Sequence, residues 1–118
     1  MRYMLLIYDR EADWANLSPE KRREVMAGYR AFTGEIRQSG HYRAGDQLTP
    51  VAMATTVRIR DGRRVTTDGP FAETREQLGG YYVVEAKDLD EALSLAERLP
   101  SARMGSIEVR PLVESPGA

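Results

Sequence analysis

The sequence predicts an α+β fold in which two helices cover one face of an antiparallel sheet. Three observations support this prediction: an apolar strand pattern near the start, two amphipathic segments with helix caps, and four further segments with strand or hairpin patterning. A chain of 118 residues is large enough for one hydrophobic core. We therefore expect one domain over residues 1–113, followed by a frayed tail at 114–118.

Composition narrows the classes of function before any motif is considered. The chain has 42% hydrophobic and 30% charged residues, as is typical of a soluble globular protein. It contains no cysteine, which excludes thiol nucleophiles, thiolate zinc sites and disulfides. No apolar run is long enough to cross a bilayer, and none has the flanks of a signal peptide. We therefore expect a cytoplasmic protein without a membrane partner.

The first third of the chain contains a strand and a helix. Residues 2–8 (RYMLLIY) are almost continuously apolar, as in a strand that is covered on both faces. Ser18 and Pro19 provide a hydroxyl cap and a proline at the first helical position. The helix that begins there is expected to end at Gly40. Its apolar residues recur at helical spacing and form one stripe: Val25, Met26, Tyr29, Phe32 and Ile36.

The middle of the chain predicts a poorly defined strand and then a hairpin. Residues 41–50 carry a weak strand signal. Residues 55–60 alternate between polar and apolar side chains, Asp61-Gly62 is a hairpin turn pair, and residues 64–67 form the returning strand. The apolar residues on one face of the outgoing strand are Val57 and Ile59.

A further strand, a second helix and a last strand complete the pattern. Residues 80–86 are rich in β-formers, and Asp88 with Glu91 forms a capping box that starts the helix. Pro100 is expected to stop it, and residues 106–112 alternate as a strand. The buried stripe of this helix is expected to consist of Leu89, Ala92, Leu93, Ala96 and Leu99.

In chain order these elements form a β-α-β-hairpin-β-α-β pattern, which is the split βαβ arrangement of ferredoxin-like folds. Both helices then cover the same face of the sheet and leave the other face open. The first strand has apolar residues in both of its alternating sets, so the open face is expected to be apolar too. The sequence therefore predicts a homodimer in which two subunits pair sheet on sheet.

The most distinctive polar stretch is TTDGPFAETREQLGGYYVVEA, residues 66–86. In its turn, Asp68 can bond its own downstream amides, Gly69 supplies a positive φ, and Pro70 fixes the next dihedral. Phe71 is expected to anchor the turn in the core. Asp68 then either points into a cavity or only caps its own turn.

The charged residues after this turn are candidates for ligand binding. Glu73, Arg75 and Glu76 precede Gly79-Gly80, where the backbone can approach a ligand closely. The alternative is that the two glutamates pair with Arg75 and with solvent. The other residues predicted to contact a ligand are Trp14, Arg58, Phe71 and Tyr82. Trp14 is either a lid over a pocket or an aromatic staple that packs on the start of the first helix.

The stretch TDGPFAETREQLGGYYVVEAKDLDEALSLAERLP, with the early LLIY and the late IEVRP, closely resembles the DGPF branch of the YCII-related domain family. The resemblance covers nearly the whole chain, from residue 2 to residue 112. It implies a dimeric α/β-barrel protein whose subunit has a ferredoxin-like fold with an extra β-hairpin. This agrees with the order of elements deduced from the residues.

The resemblance also implies candidates for catalysis. The wider family includes a dehydrochlorinase that acts on a chlorinated hydroquinone, and it resembles muconolactone isomerases in fold, with a His/Asp pair proposed as acid and base. The family histidine falls near Tyr29, and no histidine lies on that helix. Asp46 remains available as the acid. The candidate catalytic residues are therefore Asp68, Asp46 and Tyr29.

Other chemistries have little support. His41 follows the end of the first helix, where a histidine is typical of a contact with the helix dipole. The hairpin arginines form a basic patch, but the net charge of −1 and the lack of stacking aromatics argue against nucleic acid. No phosphate-binding loop and no histidine cluster is present, so neither a cofactor nor a metal is expected.

The sequence leaves three hypotheses of function and does not decide whether the protein is an enzyme. The first is a homodimer that binds a small anionic or aromatic molecule in a pocket between the first helix, the hairpin and the turn at residues 68–71. The second is a regulatory or interaction module, because family relatives are associated with extracytoplasmic-function sigma factors. The third is a weak isomerase or lyase that uses Asp46 or Asp68 as the base.

Overall fold

A computed structural model describes residues 1–114. Of the expected tail, residues 115–118 lie outside this range, whereas the Glu114 carboxylate accepts a hydrogen bond of 3.3 Å from the Arg2 amide. The elements, in chain order, are β1 (Arg2–Asp9), α1 (Glu11–Ala15), α2 (Pro19–Gln38), β2 (Tyr42–Gln47), β3 (Thr55–Arg60), β4 (Arg63–Asp68), β5 (Gln77–Glu85), α3 (Leu89–Ala96) and β6 (Ser106–Pro111). Short 3-10 turns occur at Val51–Met53 and Pro100–Ala102. The predicted α+β order is confirmed.

The main sheet has four antiparallel strands in the spatial order β2-β5-β1-β6. This is the ferredoxin-like arrangement, with β5 and β1 in the centre and β2 and β6 at the edges. Strands β3 and β4 pair with each other and form a second, two-stranded sheet. Within residues 1–114, no helix combines the length and the apolar character needed to cross a bilayer.

The core lies between the sheet and the two long helices. Along β1 every second residue points inward, so Tyr3, Leu5 and Ile7 are buried. Helices α2 and α3 pack on this same face, as predicted. Their buried residues in the core cluster are Phe32, Ile36, Ala92, Leu95 and Ala96.

The opposite face of the sheet has no helix over it. The alternate β1 residues Met4, Leu6 and Tyr8 lie there and are half-buried, and so is Val83 of β5. The expectation that β1 is covered on both faces is therefore met on one face only within a subunit. An apolar sheet face of this kind is the surface that the predicted dimer would bury.

Helix α2 forms as the sequence indicates. The Ser18 hydroxyl accepts a hydrogen bond of 3.1 Å from the Lys21 amide at its N-terminus. Gly40, just beyond its end, has a φ of 83°, a conformation that side chains disfavour. Val25, Phe32 and Ile36 are its buried residues.

The structure corrects two expectations about the helices. The sequence indicates no helix between residues 9 and 17, but the short helix α1 lies there. In α3 the expected stripe is wrong at Leu89 and Leu93, which are 49% and 46% exposed, whereas Leu95 is buried. The physical reason is that Ala92 and Ala96 face the sheet, and their small size lets α3 approach closely. The stripe is therefore rotated, and α3 ends at Ala96, before Pro100.

Strands β3 and β4 form a hairpin that we call the arm (residues 55–68). Its turn has positive φ at both Asp61 and Gly62, 52° and 74°, as the predicted two-residue turn requires. The alternation of the strand is confirmed, but Val57 and Ile59 are 60% and 62% exposed. Phe71 is 78% exposed, so the expected anchoring of Phe71 in the core of its own subunit is wrong.

Candidate functional site

A buried carboxylate lies at the end of β1, on the side of the sheet that faces the helices. Asp9 continues the inward alternation of Tyr3, Leu5 and Ile7, and only 6% of its surface is exposed. Its Oδ2 accepts two hydrogen bonds, one of 3.0 Å from Trp14 Nε1 and one of 2.7 Å from Ser101 Oγ. The alternation of β1 thus places the Asp9 carboxylate in the buried set of side chains, at the edge of the core.

Tyr29 extends this network from helix α2. Its phenol shares a short hydrogen bond with the Ser101 hydroxyl. Because Ser101 donates its proton to Asp9, Tyr29 is the donor in this contact. Burial raises the pKa of Tyr29 to about 12, and the hydrogen bond with Ser101 opposes that rise only in part. The phenol therefore remains protonated at neutral pH and acts as a hydrogen-bond donor.

The second oxygen of Asp9 differs from the first in its contacts. Oδ1 is buried and makes no hydrogen bond to any atom of the described residues. The backbone of Gly105 lies close to it, since a Cβ at that position would be 2.6 Å from Oδ1 and 2.0 Å from the Tyr8 carbonyl oxygen. A buried acceptor without a donor is costly, and native proteins keep few of them.

The short helix α1 connects the Asp9 network to the neighbouring loops. No residue of α1 is buried. The Glu11 amide donates to Gln77 Oε1 at 2.9 Å, and the Glu11 carboxylate accepts from the Val51 amide at 2.9 Å. Gln77 in turn donates to the Thr74 carbonyl at 2.7 Å. The segment after residues 68–71 therefore reaches the Asp9 network through α1.

The three predicted catalytic residues do not come together. Tyr29 lies on the helix-covered side of the sheet. Asp46 lies on the open face, where it accepts a hydrogen bond of 2.8 Å from the Tyr81 phenol, which raises the pKa of that phenol. Asp68 is exposed at the base of the arm, opposite Thr55. Among residues 1–114 its carboxylate has no hydrogen-bond donor, so the expected self-capped turn does not form. Instead, Gly69 donates to the Ala54 carbonyl at 2.7 Å.

The predicted ligand-binding residues also divide between three regions. Trp14 belongs to the Asp9 network. Tyr82 is a core residue whose hydroxyl contacts the Thr33 hydroxyl at 2.6 Å. The remaining residues lie on the arm or in the loop after it: Arg58, Phe71, Glu73, Arg75 and Glu76. In the described part of the chain, neither glutamate forms an ion pair with Arg75, so the pairing that we considered as the alternative is absent.

Concave surfaces occur away from the expected position. The two most developed concavities have volumes of about 460 and 280 Å³, and both are shallow and open. The larger is lined by α2 and the segment before it, with Leu17, Pro19, Arg22, Arg23, Met26 and Arg30. The smaller lies between α3 and β6. Neither of these two concavities involves the arm or residues 68–71, so the pocket expected there stays a prediction.

Sequence reasoning missed Asp9, Ser101 and Gly105. A signal for Asp9 was present, because the alternation of β1 places residue 9 in phase with its buried residues. Ser101 lies in a 3-10 turn between α3 and β6, and no local pattern marks it as a partner of Asp9. In residues 1–114, no group of three or more histidine, aspartate or glutamate side chains is placed to hold a metal ion.

Comparisons with known proteins agree with this architecture. The YCII-related domain matches residues 1–115. An uncharacterized protein of Rhizobium meliloti (strain 1021) is 39% identical over 114 residues, which cover 95% of this chain and 92% of that protein. A solved structure of similar fold is that of a 5-chloro-2-hydroxyhydroquinone dehydrochlorinase from Burkholderia phenoliruptrix AC1100 in complex with 2,5-dihydroxybenzoquinone. It is 15% identical, with a TM-score of 0.57 over 98% of this chain and 96% of that chain.

Proposed function

Because this chain belongs to the YCII-related domain family, we propose that it is a cytoplasmic homodimer that binds a small hydroxylated aromatic molecule at Asp9, with α1 as the lid of the site. The observation that carries the proposal is the buried Oδ1 atom without a hydrogen-bond donor. Native proteins leave few buried polar groups without a hydrogen bond, so each one calls for an explanation such as a functional role.

The chemistry of the network indicates the class of ligand. A carboxylate accepts hydrogen bonds, and Oδ2 is already occupied by Trp14 and Ser101. Oδ1 therefore requires a donor from the ligand, such as a phenolic hydroxyl group. The rings of Trp14 and Tyr29 border the site and favour an aromatic ligand. The dehydrochlorinase of similar fold, which was solved with a dihydroxybenzoquinone, supports testing this class of compound first.

The lid is inferred from the contacts of α1. This helix has five residues, none buried, and polar contacts of Glu11 and Trp14 connect it to its surroundings. The Arg22 guanidinium donates to the Trp14 carbonyl at 2.9 Å, so a basic group adjoins the same segment. A five-residue helix with no buried residue, held by a few hydrogen bonds, opens at little cost compared with the core. Its opening would expose Asp9 and would bring an acidic substituent of the ligand near Arg22.

Dimer formation is supported by the open face of the sheet. Met4, Leu6 and Val83 form an apolar surface there that no element of the subunit covers, and sheet-on-sheet pairing would bury it. The apolar residues of the exposed face continue along two adjacent central strands, β1 and β5.

The experiment is a thermal-shift panel of phenolic, lactone and carboxylate compounds on the wild-type protein and three variants. A ligand that binds the folded state alone raises the melting temperature by mass action. We expect hydroxylated aromatics to raise the melting temperature of the wild-type protein. Asp9→Asn should lose at least about 90% of the affinity, because an amide has one acceptor oxygen and cannot accept hydrogen bonds at both positions of the carboxylate.

Two matched carboxylates serve as controls, Asp46→Asn on the open face and Asp68→Asn at the base of the arm. Both should retain the ligand-induced shift. If Asp68→Asn abolishes the shift and Asp9→Asn preserves it, the site lies at the turn and the present proposal is wrong. If no compound shifts the wild-type protein, the proposal of a small-molecule site is also wrong.

A further inference from the structure

The arm extends away from the body of the subunit. The radius of gyration is 16.4 Å, whereas a compact chain of this length has about 13.5 Å. The molecule measures 48 by 47 by 19 Å, so it is broad and thin. Strands β3 and β4 make their extensive contacts with each other and not with the four-stranded sheet. An isolated two-stranded hairpin of this kind is marginally stable in water.

One face of the arm carries two large apolar side chains beside the polar cross-strand partners Thr66 and Arg64. Val57 and Ile59 share that face and are both largely exposed. Arg58 lies on the opposite face, and its guanidinium donates to the Phe71 carbonyl oxygen at 3.5 Å, so the backbone of the exposed Phe71 adjoins that other face. Exposed large apolar residues therefore occur along both faces of the arm, which favours an interaction surface over a solvated hairpin.

The exposed area is sufficient for a stable interface. A monomeric protein of 13.3 kDa exposes about 6,450 Å². This chain exposes 8319 Å², which is roughly 1,900 Å² more. A standard protein interface takes about 800 Å² from each partner. The excess exposed area is therefore large enough for an interface that includes both the open sheet face and the arm.

Charge favours a second copy of this chain as the occupant. The arm has four arginines and two aspartates, Asp61 and Asp68, a net charge of +2. Because the whole chain carries −1, the rest of the chain carries −3. The arm and the body of another copy are thus complementary, which steers association and fixes orientation.

We propose that the arm docks on the body of a second copy of this chain and buries Val57, Ile59 and Phe71 there. In a two-fold dimer each subunit both gives and receives an arm. Docking then gives the arm the packing that an isolated hairpin lacks, and residues 68–71 lie beside the partner. This inference rests on the homodimer of the proposed function but not on its ligand.

The test is the dimer dissociation constant, measured by analytical ultracentrifugation. The double variant Val57→Thr/Ile59→Thr keeps β-branched side chains and removes apolar surface on two arms. We expect its dimer to be at least about 30-fold weaker than the wild type. The control Leu89→Thr replaces an exposed leucine on α3 and should leave the constant within about threefold.

A second variant, which lacks the arm, distinguishes a loss of docking from misfolding of the arm. Gly69 donates to the Ala54 carbonyl at 2.7 Å, so the two ends of the arm are adjacent and residues 55–68 can be replaced by two glycines. Circular dichroism should show a folded body, and the dimer should weaken at least as much as in the double variant. If either arm variant dimerises as tightly as the wild type, the arm does not dock on a second copy.

The failures of the two proposals are distinguishable. A wild-type protein that is monomeric at every concentration overturns the homodimer and the arm docking together, but leaves the ligand panel to be judged on its own shifts. Should the double variant dimerise normally while Arg58→Gln/Arg60→Gln loses affinity for duplex DNA that the wild type binds, the arm is a nucleic-acid contact and the docking proposal is wrong.

Discussion

The end of β1 and the segment around the arm place their polar groups in opposite environments. At the end of β1, Asp9 and Ser101 are buried and linked to each other, although nothing in their local sequence is unusual. Around the arm, Asp68 and Phe71 belong to the most conspicuous motif of the chain, yet both are exposed in the subunit.

This difference separates two causes of a distinctive sequence. The turn at residues 68–71 is conspicuous because its backbone needs particular residues, with Gly69 at a φ of 97°. The Asp9 network is inconspicuous because its members come from three distant segments and meet only in the fold. Local motifs thus report local backbone demands, whereas a buried polar site is a property of the tertiary structure.

The largest effect is expected from glycine substitutions that compare the two regions. Gly105→Ala would place a Cβ 2.0 Å from the Tyr8 carbonyl oxygen, so β1 and β6 must shift beside Asp9. We expect a loss of at least about 3 kcal/mol in the free energy of unfolding. Gly69→Ala has open space around it and suffers only from its positive φ, which costs about 1 to 2 kcal/mol.

Urea unfolding measures both variants. Gly34→Ala is the control, because that glycine lies within α2 with nothing within 4 Å of an added Cβ, and alanine should stabilise the helix by up to about 1 kcal/mol. If Gly105→Ala unfolds like the control, the close backbone contact that borders Asp9 is not a constraint and the description of the site must be revised.

The two phenylalanines of the chain provide the next comparison, since Phe32 is buried in the core and Phe71 is exposed beside the arm. Phe32 is buried against Tyr82, with ring centroids 5.2 Å apart, and Phe32→Ala should cost about 3 to 5 kcal/mol. Phe71→Ala should change the stability of the isolated subunit by no more than about 0.5 kcal/mol.

The dependence of the melting temperature on protein concentration further distinguishes the two phenylalanines. If Phe71 is buried by a second copy, the effect of Phe71→Ala on melting temperature grows as the dimer becomes populated. The effect of Phe32→Ala should not depend on concentration in this way. A cost of Phe71→Ala that is large and independent of concentration would contradict the exposed position of that ring.

The fold was largely predictable from the sequence because its signals are local. The cap at Ser18 and the Asp61-Gly62 turn each act within a few residues, and both are confirmed. The errors arose where a contact between residues far apart in the sequence determines the structure. The face of α3 depends on how closely the alanines approach the sheet, and no local pattern of leucines reveals that distance.

The candidate site was predictable only in part. Trp14 and Tyr29 were identified as aromatic residues near a possible pocket, and both belong to the Asp9 network. Their partner Ser101 is 72 residues from Tyr29 and 92 from Asp9 along the chain, so only the fold brings them together. Asp46 and Tyr29 were paired by resemblance, but the sheet lies between them.

The smallest expected effect concerns the pH dependence of stability. The pKa of Tyr29 is raised in the folded chain from 10.0 to about 12, chiefly by burial. Between these values the folded chain keeps the phenolic proton, whereas the unfolded chain has lost it. Unfolding therefore releases a proton, and rising pH favours unfolding. The contribution of Tyr29 is fully present below pH 10 and is lost as the pH approaches 12.

Tyr29→Phe should remove this alkaline loss. Relative to the variant, the wild type should lose stability at up to about 1.4 kcal/mol per pH unit in that window, as urea unfolding at stepwise alkaline pH can measure. Tyr81→Phe is the matched control, because its raised pKa comes from a hydrogen bond with Asp46 at an exposed position, where solvent screens the effect. Equal slopes for the two variants would mean that Tyr29 is as accessible as Tyr81, and the Asp9 network would then not be sealed from water at its α2 end.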